Sequence, residues 1–215
     1  FVREALMTAR LEHPSIVPVY DAGRLPTGRP YYAMKLVAGR TLSELLEERA
    51  ELDARLLLLP SILSIAEAMA YAHDKRIIHR DLKPSNVLFG PFGEAVVIDW
   101  GLAKSLDAAE ETLREEVAPR SAALTVAGAI VGTPTYMSPE QAAGEPVDER
   151  TDVYALGAIL YCVIAGRPPY QGEDAGAVVE QVRAGPPPPV ASLAPGVPPE
   201  LCAVVEKAMR RELGQ

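Results

Sequence analysis

Cysteine is scarce in this chain, with two residues in 215, Cys162 and Cys202. Both fall in apolar stretches with helical spacing, which points to buried thiols in a reducing compartment and away from a disulfide framework. Positive charge is short as well: 21 Lys and Arg stand against 29 Asp and Glu, a net charge of -8. A nucleic-acid binder needs a basic stripe to neutralise phosphates, so nucleic acid is not expected as a partner. Long unbroken apolar runs are also missing. The most apolar stretch, Leu56 to Ala72, contains Pro60, Ser61, Ser64 and Glu67 and runs into Asp74, Lys75 and Arg76. It reads as a core helix, and no membrane contact is expected within this segment. No signal peptide opens the chain, and because Phe1 is not a natural start, the true N-terminus is expected further upstream. The remaining composition, 48% hydrophobic and 23% charged, suits one large globular domain with a sizeable core.

Two segments carry chemistry. The first is His79-Arg80-Asp81-Leu82-Lys83-Pro84-Ser85-Asn86, and the second is Val96-Val97-Ile98-Asp99-Trp100-Gly101. Together they set two carboxylates, an amide and an ammonium on two neighbouring loops. The apolar run before Asp99 reads as a buried strand, which puts that carboxylate at a strand end, where sites collect. One Asp or Asn in a turn is ordinarily turn chemistry. Four such groups at this spacing suit phosphoryl transfer from a magnesium nucleotide, where a protein mainly positions and neutralises spreading negative charge.

At these residues the chain resembles the Ser/Thr protein kinases, especially the eukaryotic-type kinases of bacteria, over nearly its whole length. The resemblance implies an α+β, protein-kinase-like bilobal fold. Residues 1–36 would be a remnant of the β-rich N-lobe, with the end of the regulatory helix and two strands. Residues 37–39 would be the hinge, and 40–215 a mainly α-helical C-lobe with an activation segment over 99–140. The implied activity is transfer of the ATP γ-phosphate to Ser/Thr hydroxyls of protein substrates in bacterial signalling. ATP and Mg2+ are the implied cofactors, with Mn2+ as the alternative metal. The implied location is cytoplasmic, any membrane anchor lying outside this chain.

The match assigns roles residue by residue. Asp81 would accept the proton of the substrate hydroxyl, and Lys83 would reach the γ-phosphate, a Lys typical of Ser/Thr rather than tyrosine kinases. Asn86 and Asp99 would hold the metal through oxygen, the donor a hard cation prefers. Met34 would guard the back of the adenine pocket, while the carbonyl of Lys35 and the amide of Val37 bond the adenine edge. Leu88 would pack against the base. Glu4, in Arg3-Glu4-Ala5, would pair with the ATP-binding lysine. The ring of His79 would pack under Trp100, which stands with Gly101 where the family usually carries Phe-Gly. Arg80 would meet a phosphate on the activation segment. That segment ends Gly132-Thr133-Pro134-Thr135-Tyr136-Met137-Ser138-Pro139-Glu140, where Ala-Pro-Glu is usual. Thr133 would bridge to Asp81 and Lys83, and Glu140 would pair with an arginine beyond Glu212. Asp152 would bond the backbone of the catalytic loop. Thr125 is expected to carry the activating phosphate; phosphate-free Ser and Thr from Thr112 to Thr133 in active protein, by mass spectrometry, would refute this.

Coarse elements follow from pattern. Phe1 to Leu11 has helical spacing, and His13-Pro14-Ser15-Ile16-Val17 reads as a loop in which His13 is structural. Val17–Asp21 and Tyr31–Val37 read as strands joined through Gly28-Arg29-Pro30. Thr41 and Glu44 form a capping box, and Ile62, Ile65, Ala66, Met69 and Ala72 mark one face of a long helix. A helix opening at Thr151 is apolar nearly all round to Ala165 and stops at Gly166, so it should run through the middle of the lobe. Gly185 to Pro199 reads as a stiff loop between helices, a Pro-recognition ligand being the other reading.

The chain also departs from the family. It carries neither the Gly-rich loop nor the third-strand lysine that grip the ATP phosphates, so the 215 residues alone are expected to be inactive or very weak. A non-catalytic nucleotide-binding pseudokinase or scaffold is one alternative. A small-molecule phosphotransferase is the other, because Ile98-Asp99-Trp100 is similar to the metal strand of antibiotic kinases.

Overall fold

The computed structural model describes residues 7–100, 103–106 and 134–211. Two antiparallel strands come first, β1 (Val19–Arg24) and β2 (Pro30–Met34). The first was expected over Val17–Asp21, and it begins later for a specific reason. Ser15 to Val17 is committed elsewhere: Val97 donates to the Ser15 carbonyl, Val17 donates to the Val97 carbonyl, and Ile16 bridges to Val97 in parallel. Pairing with β2 therefore starts at Val19, with a register shift before Asp21. The second strand, expected to reach Val37, stops at Met34; Lys35 donates to Pro18 at 3.0 Å and the chain then turns away.

After this turn come a short strand β3 (Arg40–Thr41) and three helices, α1 (Leu42–Glu48), α2 (Leu52–Leu56) and α3 (Leu59–Asp74). The capping box at Thr41 forms as its sequence dictates. The Thr41 hydroxyl accepts from the Glu44 amide, and the Glu44 carboxylate accepts from the Thr41 amide at 2.6 Å. By composition alone, Leu52–Asp74 is long and apolar enough to cross a membrane. Here Ile62, Ile65, Ala68, Met69 and Ala72 turn inward and form the core face of α3.

Next comes β4 (Ile77–Ile78), whose two side chains are completely buried, and then the hairpin β5 (Val87–Phe89) and β6 (Ala95–Val97). Strand β5 lies between β3 and β6, and β4 pairs with β7 (Lys104–Ser105). Past residue 133 the protein is helical. It comprises α4 (Pro139–Ala143), α5 (Glu149–Ala165), α6 (Ala175–Ala184), α7 (Val190–Leu193) and α8 (Pro199–Ala208).

Helix α5 organises this half. It begins two residues before the expected Thr151, because Asp148 caps it by accepting from the Arg150 amide at 2.9 Å. It ends at Gly166 with φ 69°, a left-handed angle that glycine adopts without strain. Helix α5 carries no continuous polar face: Tyr154, Ala158, Tyr161 and Ile164 join one apolar cluster, while Ala155, Ile159 and Val163 join another. Its C-terminal carbonyls meet Arg55, which is only 7% exposed. That guanidinium donates to Val163 at 2.8 Å and Ile164 at 3.2 Å, and also to Arg49 and Ala50. A buried cation is tolerable there because the helix end concentrates negative charge. The Pro-rich stretch is a loop in part only, since α7 interrupts it. It is pinned to the core by hydrogen bonds from Tyr170 to the Gly185 carbonyl and from Tyr161 to the Pro188 carbonyl, both 3.0 Å.

Candidate active site

The loop after β4 is built around a buried carboxylate. Asp152, in the first turn of α5, is 0% exposed. Its oxygens accept from the His79 amide at 2.8 Å, the Arg80 amide at 2.9 Å and His73 Nε2 at 2.8 Å. A carboxylate only accepts, so His73 carries its proton on Nε2. These bonds hold Arg80 at φ 70°, a left-handed angle that costs a non-glycine residue energy and survives where surroundings over-determine it. Asp99, at φ 60°, is the second such residue in the site.

His79 is fully buried, and desolvation pushes its pKa below the usual range, against the pull of the nearby carboxylates Asp152, Asp81 and Asp99. The neutral ring fits its contacts: Nδ1 accepts from the Asp81 amide at 3.3 Å, so Nε2 holds the proton and donates to the Ile98 carbonyl at 3.2 Å. Trp100 lies 4.7 Å from it, centre to centre, and tilted by 57°. The indole Nε1 is buried and has no hydrogen-bond partner among the described residues. The ring fills the slot beside His79 but strands this donor.

Asp81, Lys83 and Asn86 come together directly. Lys83 Nζ lies 2.7 Å from Asp81 Oδ2, and Asn86 Nδ2 donates to the same oxygen at 3.2 Å and to the Asp81 carbonyl at 2.8 Å. Asp81 Oδ1 has no partner among the described residues. Asn86 uses its amide nitrogen on Asp81, which leaves its carbonyl oxygen as a donor for a hard cation. The Ile98 amide donates to the Asn86 main-chain carbonyl at 2.9 Å, which ties the residue before Asp99 to this group.

Adjoining it is a cavity of about 410 Å³ lined by Met34, Lys35, Leu36, Val37, Leu88, Ile98, Asp99 and Trp100, with Thr8, Val17, Val19 and Tyr32. Neither the Lys35 carbonyl nor the Val37 amide is hydrogen-bonded to another described residue, so an acceptor and a donor two residues apart stand ready at its rim. Met34 is 47% exposed.

A model of the protein kinase domain matches residues 1–187. The chain belongs to the protein kinase family. It is 40% identical over 186 residues to the serine/threonine-protein kinase PknD of Protochlamydia amoebophila, covering 80% of this chain and 19% of that protein. It is 38% identical over 221 residues to a probable serine/threonine-protein kinase PknB of Corynebacterium glutamicum, and 39% over 215 to PknB of Mycolicibacterium smegmatis. Each covers 98% of this chain and 32% of the relative. The chain thus spans about a third or less of the length of these curated relatives. Kinases of this family use ATP and a divalent metal on protein substrates.

Not every expected site residue can be placed. Glu4, Gly101, Thr125 and Thr133 lie outside the described residues. Glu140 is buried, and its carboxylate accepts from the Thr151 hydroxyl at 2.8 Å. Two contacts of this loop went unread in the sequence. One is His73 on Asp152. The other is Gln141, whose Nε2 donates to the Arg80 carbonyl at 2.8 Å. The capping pattern Ser138-x-x-Gln141 was visible, but it foretells only the bond to Ser138 and not the distant Arg80 carbonyl.

Proposed function

We propose that the protein is a Ser/Thr kinase that transfers the γ-phosphoryl group of ATP to Ser or Thr hydroxyls of other proteins. The observation that carries this reading is the hydrogen-bonded group of Asp81, Lys83 and Asn86, tied through the Asn86 main-chain carbonyl to the Ile98 amide next to Asp99, which lines the apolar cavity. In it, Asp81 Oδ1 accepts the hydrogen of the substrate hydroxyl and aims its oxygen at phosphorus. Lys83, already paired with Asp81 Oδ2 at 2.7 Å, extends its charge to the γ-phosphate. Asn86 Oδ1 and the Asp99 carboxylate suit Mg2+, or Mn2+ in its place, which when bound neutralises phosphate charge. Val37, Leu88 and Ile98 face the base, while the Lys35 carbonyl and Val37 amide read its edge; Met34 stands beside them. We extend the proposal to Glu4, Arg80, Thr125, Thr133 and Glu140 in the roles the family resemblance gives them, and to a cytoplasmic location for this segment. Without a Gly-rich loop or a third-strand lysine in its sequence, the 215-residue chain transfers slowly by itself.

The test is phosphate transfer from ATP to the gene-encoded protein itself and to a generic basic protein. Asp81→Asn should reduce transfer by about 10²-fold or more, as loss of a general base does. Transfer at the parental rate by this variant would overturn the assignment.

A further inference from the structure

The peptide unit joining Arg80 to Asp81 is gripped from both sides. Its N–H donates to His79 Nδ1 at 3.3 Å, and its carbonyl accepts from Gln141 Nε2 at 2.8 Å. The orientation of the Gln141 amide is set by its other end: Oε1 accepts from the Ser138 amide at 3.2 Å, so the nitrogen must face Arg80. One residue earlier, the Arg80 amide is held by Asp152. Arg80 sits at φ 70°, where its own backbone preference pulls it away. Of the three side chains that fix this stretch, His79 and Asp152 lie in the loop itself and in α5. Gln141 alone comes from α4, the helix that Ser138 caps and that contains Pro139 and Glu140. Helix α4 is in turn tied to α6, because Arg183 donates to the Ala142 carbonyl at 2.8 Å.

We propose that Gln141 is a positioning residue for Asp81. It holds the plane of the peptide from which the Asp81 side chain springs, and it makes the alignment of that carboxylate depend on the seating of α4. Without the bond, Arg80 relaxes toward a right-handed angle, the peptide tilts, and Oδ1 leaves the line to phosphorus. Displacements of about 1 Å are enough to slow a positioned reaction severely. This rests on the kinase reading of Asp81.

Two variants of the gene-encoded protein test it. Gln141→Glu keeps the acceptor for Ser138 and removes the donor to Arg80; Gln141→Met keeps the length and removes both. We expect kcat to fall about tenfold in each, with the ATP dissociation constant, the KM for a protein substrate and the melting temperature close to parental. Amide hydrogen exchange at Arg80 and Asp81 should speed up about tenfold in both. A kcat within about twofold of the parent in either variant overturns the proposal. So does a loss of kcat that comes together with weaker ATP binding and lower melting, because that marks general structural damage. The exchange measurement separates the two readings. Faster exchange in the variants, with a parent that transfers no phosphate, refutes the kinase reading and with it the catalytic role of the bond. Unchanged exchange with an active parent refutes only the role of Gln141.

Discussion

Replacing Asp152 by alanine should be among the most damaging single changes in this protein. The carboxylate is completely buried and accepts three hydrogen bonds of 2.8 to 2.9 Å, from the His79 and Arg80 amides and from His73. Alanine leaves two backbone N–H groups and a mostly buried imidazole without an acceptor, in a site too enclosed for water to replace the oxygens freely. Removing one side of such a buried charged arrangement costs about 3–5 kcal/mol. For a chain of this size each kcal/mol corresponds to about 2–4 °C in melting temperature, so a fall of roughly 6–20 °C is expected. Asp152→Asn should cost less, because its remaining oxygen can still accept from one amide while its nitrogen opposes the other. His73→Ala removes one of the three bonds and should cost about 1 kcal/mol. Urea unfolding monitored by circular dichroism gives all three values, and amide exchange at His79 and Arg80 shows whether the damage sits in this loop. A cost under about 1 kcal/mol for the alanine variant, or equal costs for Asp152→Asn and Asp152→Ala, would refute the picture of a carboxylate organising the loop through three acceptor bonds.

Two further predictions follow from the same region. His79 is buried in its neutral form and its pKa is lowered by desolvation, so below its ordinary pKa of about 6.5 the unfolded chain takes up a proton that the folded one refuses. Stability from this group is complete above that pH and is lost as the solution is acidified toward the depressed folded pKa; His79→Gln should flatten the dependence of unfolding free energy on pH between about 6.5 and 5, and an unchanged slope would contradict the neutral assignment. Gly39 packs so closely on β5 that an added Cβ would lie 2.1 Å from the Phe89 carbonyl oxygen. Gly39→Ala should therefore push the Lys35–Val37 segment off its place and weaken binding of a fluorescent ATP analogue by about tenfold, roughly 1.4 kcal/mol, with parental affinity as the refuting result.

What could be read from sequence alone was whatever a local pattern encodes. The cap at Thr41–Glu44, the stop at Gly166 and the all-round apolar character of α5 each depend on residues a few positions apart, and each stands in the structure as expected. The family likewise showed in the resemblance of the His79–Asn86 and Ile98–Gly101 segments to the kinase motifs. Tertiary structure decided the rest. Val17 pairs with Val97 rather than with the neighbouring hairpin, which moved the start of β1. His73 meets Asp152 across 79 positions, Gln141 meets the Arg80 carbonyl across 61, and Arg55 meets Val163 across 108. A single side chain bonding one distant polar group leaves no periodicity and no composition signal, since any polar residue of suitable reach would look the same in the sequence. Such bonds exist only once apolar burial has brought α3, α4 and α5 around the loop, and they then fix the strained angle at Arg80 that local preference opposes.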